Sequence, residues 1–192
     1  VQTCALPILL VQVNDVVKRG QPLFEDKRNP GVLHTAPGAG TVVAVNRGER
    51  RALQSVVIEL NEREVAGQPG NEEYVSFASY VKQDAAAYSR DEARALLGES
   101  GMWTAFRTRP YSKTPSLGSV PHSIFITACD SNPLAPSMDE MVKGRQAALD
   151  AGVQLVAALT DGPVFFCKKA GDKLAPESKP GNVRVKTFSG PH

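Results

Sequence analysis

Between about Leu9 and Tyr80 the apolar residues come in short clusters. Val11, Val13, Val16 and Leu23 are separated by Asn-Asp and Arg-Gly turn signals, and Pro37-Gly38 and Arg47-Gly48 mark further turns. Thr41–Val45 is a β-branched run. Ser55–Leu60 alternates, placing Val56, Ile58 and Leu60 on one face of a strand. Asn61–Asn71, with Gly67, Pro69 and Gly70, reads as a polar loop and a domain edge. Residues 9–80 are therefore expected to form a small β barrel or sandwich.

From Ser89 the period changes. Ser89 and Glu92 have capping-box spacing, and Ala93, Leu96 and Leu97 supply a helical apolar face. Met102–Gly118 looks like an ordered loop. Ile124–Ala128 reads as a strand buried on both faces. A second capping box, Ser137 to Glu140, starts a helix with Met138, Met141, Val142, Ala148 and Leu149 on its apolar face, and Val153–Leu159 continues as helix, a strand being the alternative. Val164–Lys168 and Val183–Phe188 supply two more strands. Strand, helix and strand in that order predict a parallel, Rossmann-like α/β domain over residues 81–192.

Composition narrows the function classes. The 192 residues carry 22 basic and 20 acidic side chains, a net charge of +2 that lacks the basic excess of a dedicated nucleic-acid binder. Cys4, Cys129 and Cys167 are too few for a disulfide framework or zinc knuckle, so a reducing compartment is the default. No stretch approaches the roughly 20 apolar residues of a membrane-spanning helix, so a membrane role would come through a partner. Residues 1–8 (VQTCALPI) read as a non-native leader, because a sequencing adapter translates to this string; a truncated native strand is the alternative. The whole reads as an internal fragment of something longer.

Three segments could carry chemistry. Val13–Phe24 and Ala36–Val42 resemble the two halves of biotinyl/lipoyl-type domains. Lys27 would then be the nearest carrier lysine, but it lacks the flanking residues of either modification site, and a structural barrel is the commoner outcome. Asp130 and Asn132 follow a strand's carboxyl end, where α/β sheets bind ligands, yet the same residues commonly cap turns. The loop Cys129–Ala135 has no glycine, so the usual dinucleotide cradle is missing. In Ser100–Pro115, Trp103, Phe106 and Tyr111 alternate with Arg107, Arg109 and Lys113. This set would either stack on a planar, oxygen-bearing ligand or, more commonly, lock an interface. His34, His122 and His192 show no metal-ligand spacing, and no catalytic set is apparent.

The strings FEDKRNPGV (Phe24–Val32), NRGERRALQSVVIE (Asn46–Glu59), ESGMWTAFRTRPYSKTP (Glu99–Pro115), TACDSNPLA (Thr127–Ala135) and FSGPH (Phe188–His192) closely resemble the A subunits of the Na+-translocating NADH:quinone reductases. The resemblance implies a peripheral subunit on the cytoplasmic face of a bacterial inner membrane, with the other subunits of the complex as partners. It further implies that the complex uses FAD, FMN, riboflavin, iron–sulfur centres, NADH and ubiquinone, while this chain binds no cofactor and acts as scaffold and quinone-site contributor. Trp103, Arg107, Arg109, Asp130 and Asn132 are the expected quinone or interface contacts. The family is distantly similar to the NADH- and flavin-binding subunit of complex I. That relative has a glycine-rich loop where this chain has Trp103–Pro110, which implies loss of the flavin phosphate cradle. The rival readings are a non-catalytic assembly module, a prosthetic-group carrier and a flavin/NADH dehydrogenase subunit.

Overall fold

The computed structural model describes residues 7–82 and 84–190. Its contacts divide the chain into two compact units, Val1–Val81 with Arg94–Ser119, and Lys82–Ala93 with Val120–His192. The segment 94–119, which sequence order places with the α/β part, thus clusters with the β-rich part. Cys4, His192 and most of the suspected leader lie outside the described residues.

The β unit contains β1 (Ile8–Leu9), β2 (Val16–Val17), β3 (Pro22–Glu25), β4 (Leu33–Thr35), β5 (Gly40–Arg47) and β6 (Leu53–Leu60). They form two open antiparallel sheets, in the orders β1-β3-β4 and β2-β5-β6. Val17, Leu23 and Val42, one from each of three strands, are buried with Val11 and Ala36 in a shared core against which Val56 and Ile58 pack. The expected alternation in β6 holds to Ile58, but Leu60 is exposed where the strand leaves the core. Ile8, the last residue of the suspected leader, pairs with Glu25.

The polar stretch after β6 is not all loop. Asn61 caps a short helix, α1 (Glu62–Val65), by accepting from the Glu64 amide at 2.8 Å. That turn aims the Glu64 carboxylate inward, where it accepts from the Ala39 amide (2.8 Å) and from both Nε and Nη2 of Arg19. Burying a carboxylate is tolerable only with such partners. Arg19 in turn bonds through its backbone to Glu73 and Val75, so the chain through Val75 stays attached to the β unit.

Helix α2 (Arg90–Glu99) starts as the capping box requires. The Ser89 amide donates to Glu92 at 2.8 Å and the Glu92 amide to Ser89 Oγ at 3.4 Å. The α/β unit then contains β7 (Ile124–Ala128), α3 (Met138–Val142), α4 (Gln146–Ala158), β8 (Val164–Lys169) and β9 (Val183–Phe188). The strands are parallel throughout, in the order β7-β8-β9. At the turn before β8, Gly162 passes so close to the His122 carbonyl that any Cβ would collide with it.

Two expectations are corrected in this unit. The single helix from Ser137 is two. Ser137 makes no side-chain cap, Gly144 turns the chain at φ +75°, and Asp139 instead accepts from the amides of Lys173 (3.0 Å) and Leu174 (2.8 Å). Nor is β7 buried on both faces. Ile124, Ile126 and Ala128 pack with Val153, Ala157, Val164 and Phe166, whereas Phe125 is 62% exposed on the opposite face. Continuous apolarity misled here, because Phe125 stacks on Phe165 of the neighbouring strand (centroids 5.1 Å apart) rather than entering a core.

Candidate functional site

In the β unit the chemistry-bearing residues gather on the segment from Ser100 to Pro115. Gly101, at φ +79°, admits a 3-10 turn over Met102–Ala105 that drives Trp103 inward. Trp103 is only 3% exposed, its indole N–H donates to the Pro115 carbonyl at 2.9 Å, and Phe106 meets it edge-on at 5.2 Å. The expectation that Trp103 faces a ligand or partner is therefore corrected: its ring and its polar atom are both used inside the loop. Arg107 is exposed, but its Nη1 donates to the carbonyls of Thr104 and Phe106 and to Thr114 Oγ1 (3.3 Å). Thr108 closes the tip by exchanging bonds with Ser112 and Lys113.

Arg109 differs from both. It is exposed and has no hydrogen-bond or ion-pair partner among the described residues, and the nearby Tyr111 is 78% exposed. The loop thus holds its own backbone and leaves one guanidinium and one phenol outward.

The same loop fixes the hairpin tip between β3 and β4. Asn29 Nδ2 donates to the carbonyls of Thr114 (3.1 Å) and Pro115 (3.0 Å). Lys27 sits on this tip, two residues from that anchor, so the tip is tied down rather than free to swing.

Beside the loop, still within the β unit, lies a cavity of about 500 Å³ lined by Arg19, His34, Thr35, Tyr74, Phe77 and Met102. His34 stacks on Phe24 at 4.3 Å with the rings nearly parallel. Burial pushes its imidazole below the ordinary value, Arg107 adds to that, and Asp26 opposes it. Arg19 is held by Glu64 and lies over the Tyr74 ring at 5.8 Å. Sequence reading missed this set. Its members are scattered from residue 19 to 102, and only the lone histidine stands out along the chain.

Asp130 and Asn132 lie in the α/β unit and share one turn. Asp130 Oδ1 accepts from both the Asn132 amide (2.9 Å) and its side-chain Nδ2 (2.7 Å), and the Ala135 amide donates to the Asn132 carbonyl. The turn satisfies itself, as the capping reading has it. Pro133 and a fully exposed Leu134 at φ +66° complete it. Cys167 lies within β8, and Cys129 follows β7 two positions beyond Thr127, its neighbour across the strands. Both thiols are partly exposed, and burial raises the pKa of Cys167. Among the described residues no three His, Cys, Asp or Glu side chains are placed to hold a metal ion, and no helix is long and apolar enough to cross a membrane.

Against known proteins, residues 3–61 match the family model described as the NqrA N-terminal barrel-sandwich hybrid domain. Residues 88–192 match that of the NqrA second alpha/beta domain. Curated relatives, each named as the A subunit of a Na(+)-translocating NADH-quinone reductase, include those of Tolumonas auensis, 45% identical over 97% of this chain and 39% of its own length, and Serratia proteamaculans, 46% identical over 97% and 40%. A third, from Klebsiella pneumoniae, is 47% identical over 97% and 39%. The chain spans about two fifths of the length of these relatives. Two open β sheets followed by a parallel α/β sheet, matched in that order by both domain models, place this chain in the NqrA family.

Proposed function

We propose that this chain forms the first two domains of a peripheral subunit of a sodium-pumping NADH:ubiquinone oxidoreductase. Its partners are the other subunits of that complex, and it sits on the cytoplasmic face of the inner membrane. Its role is to shape and contact the quinone end while electrons are carried elsewhere. It binds no flavin, NADH or iron–sulfur centre of its own. The loop Cys129–Ala135 supports that division of labour, because it has no glycine and carries Pro133, which offers no amide to a phosphate.

The observation that carries the reading is the contrast within one loop. Trp103 and Arg107 are consumed in holding it, whereas Arg109 projects unpaired beside an exposed Tyr111. An arginine presented on a stiff loop is suited to donate to a carbonyl oxygen or an acidic partner, since little ordering entropy is left to lose on binding. The test is Arg109→Ala in the full-length subunit within the assembled complex. The expected result is a raised KM for ubiquinone with subunit composition unchanged. Loss of assembly would favour the interface role for the same residue. Unchanged quinone reduction together with unchanged assembly would sink both.

A further inference from the structure

The parallel sheet of the α/β unit has one finished face and one open face. On the finished face α4 and α3 pack over Ile124, Ile126, Val164, Phe166 and Val183. The register sets the other face in rows across the three strands. Phe125, Phe165 and Arg184 are level, as are Thr127, Cys167 and Lys186. Phe125 is largely exposed, Phe165 and Cys167 are partly exposed, and Thr127, Arg184 and Lys186 are exposed. The result is an aromatic pair and a thiol flanked by two long cationic side chains.

Parallel sheets occur almost only with both faces covered, because strands joined by crossovers carry helices on each side. A stacked pair of phenylalanines left in water forfeits a large hydrophobic gain, since each ring has on the order of 150–250 Å² to bury. The geometry points to a docking face for a helix supplied by the same polypeptide: part of the three fifths of the length that the relatives carry outside the matched stretch. The matched models are the family's N-terminal and second domains, so that remainder follows this sheet in sequence. The occupant is an amphipathic helix whose apolar stripe lies over Phe125, Phe165 and Cys167. The aliphatic stems of Arg184 and Lys186 border it and their charges stay in water. The inference rests on the sheet and on the length of the relatives, not on the quinone reading, and does not fall with it.

Cys167 reports on this face directly. Native alkylation by N-ethylmaleimide, read at the Cys167 peptide by mass spectrometry and normalised to the rate in denaturant, is to be compared in the 192-residue chain and in the isolated full-length subunit. Melting curves of both establish that each is folded. Cys167 is expected to react readily in the short chain and about tenfold or more slowly in the full-length subunit. Phe125→Arg in the full-length subunit is expected to restore the fast rate with the fold retained. Protection that appears only when the other subunits are added would overturn the assignment in favour of a partner. Protection of the short chain that rises with its concentration would overturn it in favour of a second copy. Equal rates in the two forms would show that no segment covers the face.

Discussion

In the β unit, the segment richest in aromatic and arginine side chains closes on itself: Trp103 bonds to Pro115, Arg107 to two carbonyls, and Asn29 reaches across to Thr114 and Pro115. In the α/β unit the polar loops are equally self-contained, as Asp130 and Asn132 show, but the sheet leaves two phenylalanines against solvent. The lesson concerns where free surface is found. In the β unit the unspent chemistry includes the Arg109 guanidinium on its loop and a cavity lined by Arg19, His34 and Tyr74; in the α/β unit it is an apolar face. The first suits a ligand or a charged partner, and the second suits a packed element.

The comparison breaks most visibly in the α/β core. Phe166 is fully buried between the helices and the sheet. Phe166→Ala is expected to cost about 3–5 kcal/mol, read as a lowered urea midpoint for the α/β unit. A loss below about 1 kcal/mol would mean that the helical face is not the real core.

Next comes the loop of the β unit. Trp103→Phe keeps an aromatic ring but removes one of the two donors to the Pro115 carbonyl, the other being Asn29, and trims a buried side chain, at an expected cost of about 1–2 kcal/mol. If Trp103 instead served a ligand, the substitution would leave unfolding unchanged and alter only binding.

Phe125→Ser sharpens the contrast, because the residue type is the same as at 166 and only the face differs. Losing the stack on Phe165 is expected to cost about 1 kcal/mol or less in this chain. Urea unfolding of the two phenylalanine variants side by side is the check, and equal losses would erase the distinction between the faces.

The same two residues explain what was legible in the sequence. Run length and turn signals located β5, β6 and the three parallel strands, because each is set by its neighbours along the chain, but not β1 or β4. Burial is not local. IFITA at 124–128 reads as uniformly apolar whether one face or two are covered, and only its neighbours in space decide. Capping behaved likewise. Ser89 and Glu92 formed their box although Lys82 also bonds to Glu92, whereas Ser137 makes no cap and Glu140, its expected partner, accepts from Lys143 instead. At the candidate site the loop was visible as a cluster of aromatics and cations. Which of them is spent and which is free was not, since Pro115 and Thr114 act through main-chain carbonyls and a threonine hydroxyl, groups with no signature in sequence.

The smallest effect separates the units by pH. In the β unit burial depresses the His34 pKa, so as pH falls through the ordinary histidine range the unfolded chain takes up a proton that the folded unit resists. Stability there is full above the ordinary histidine value of 6.5 and falls as pH drops through it. In the α/β unit the leading group is Glu92, which Lys82, and then the Ser89 amide, hold down to about 2. Its stabilisation is complete above the ordinary carboxylate value of 4.5 and is lost as pH falls from there toward 2. The pair is still partly exposed, at 35% and 37%, so its effect is modest and weakens with salt. Glu64 and Glu99 in the β unit and Asp139 and Asp161 in the α/β unit are also held low, so both units weaken below 4.5. Of the groups held off their ordinary values among the described residues, His34 is the one that acts near pH 6. Site-resolved hydrogen exchange from pH 7 to 5 is therefore expected to show protection falling in the β unit, when corrected for intrinsic rates, while the α/β unit holds. His34→Phe, which preserves a ring against Phe24, should flatten that response; a parallel decline in both units would show that the histidine is not its source.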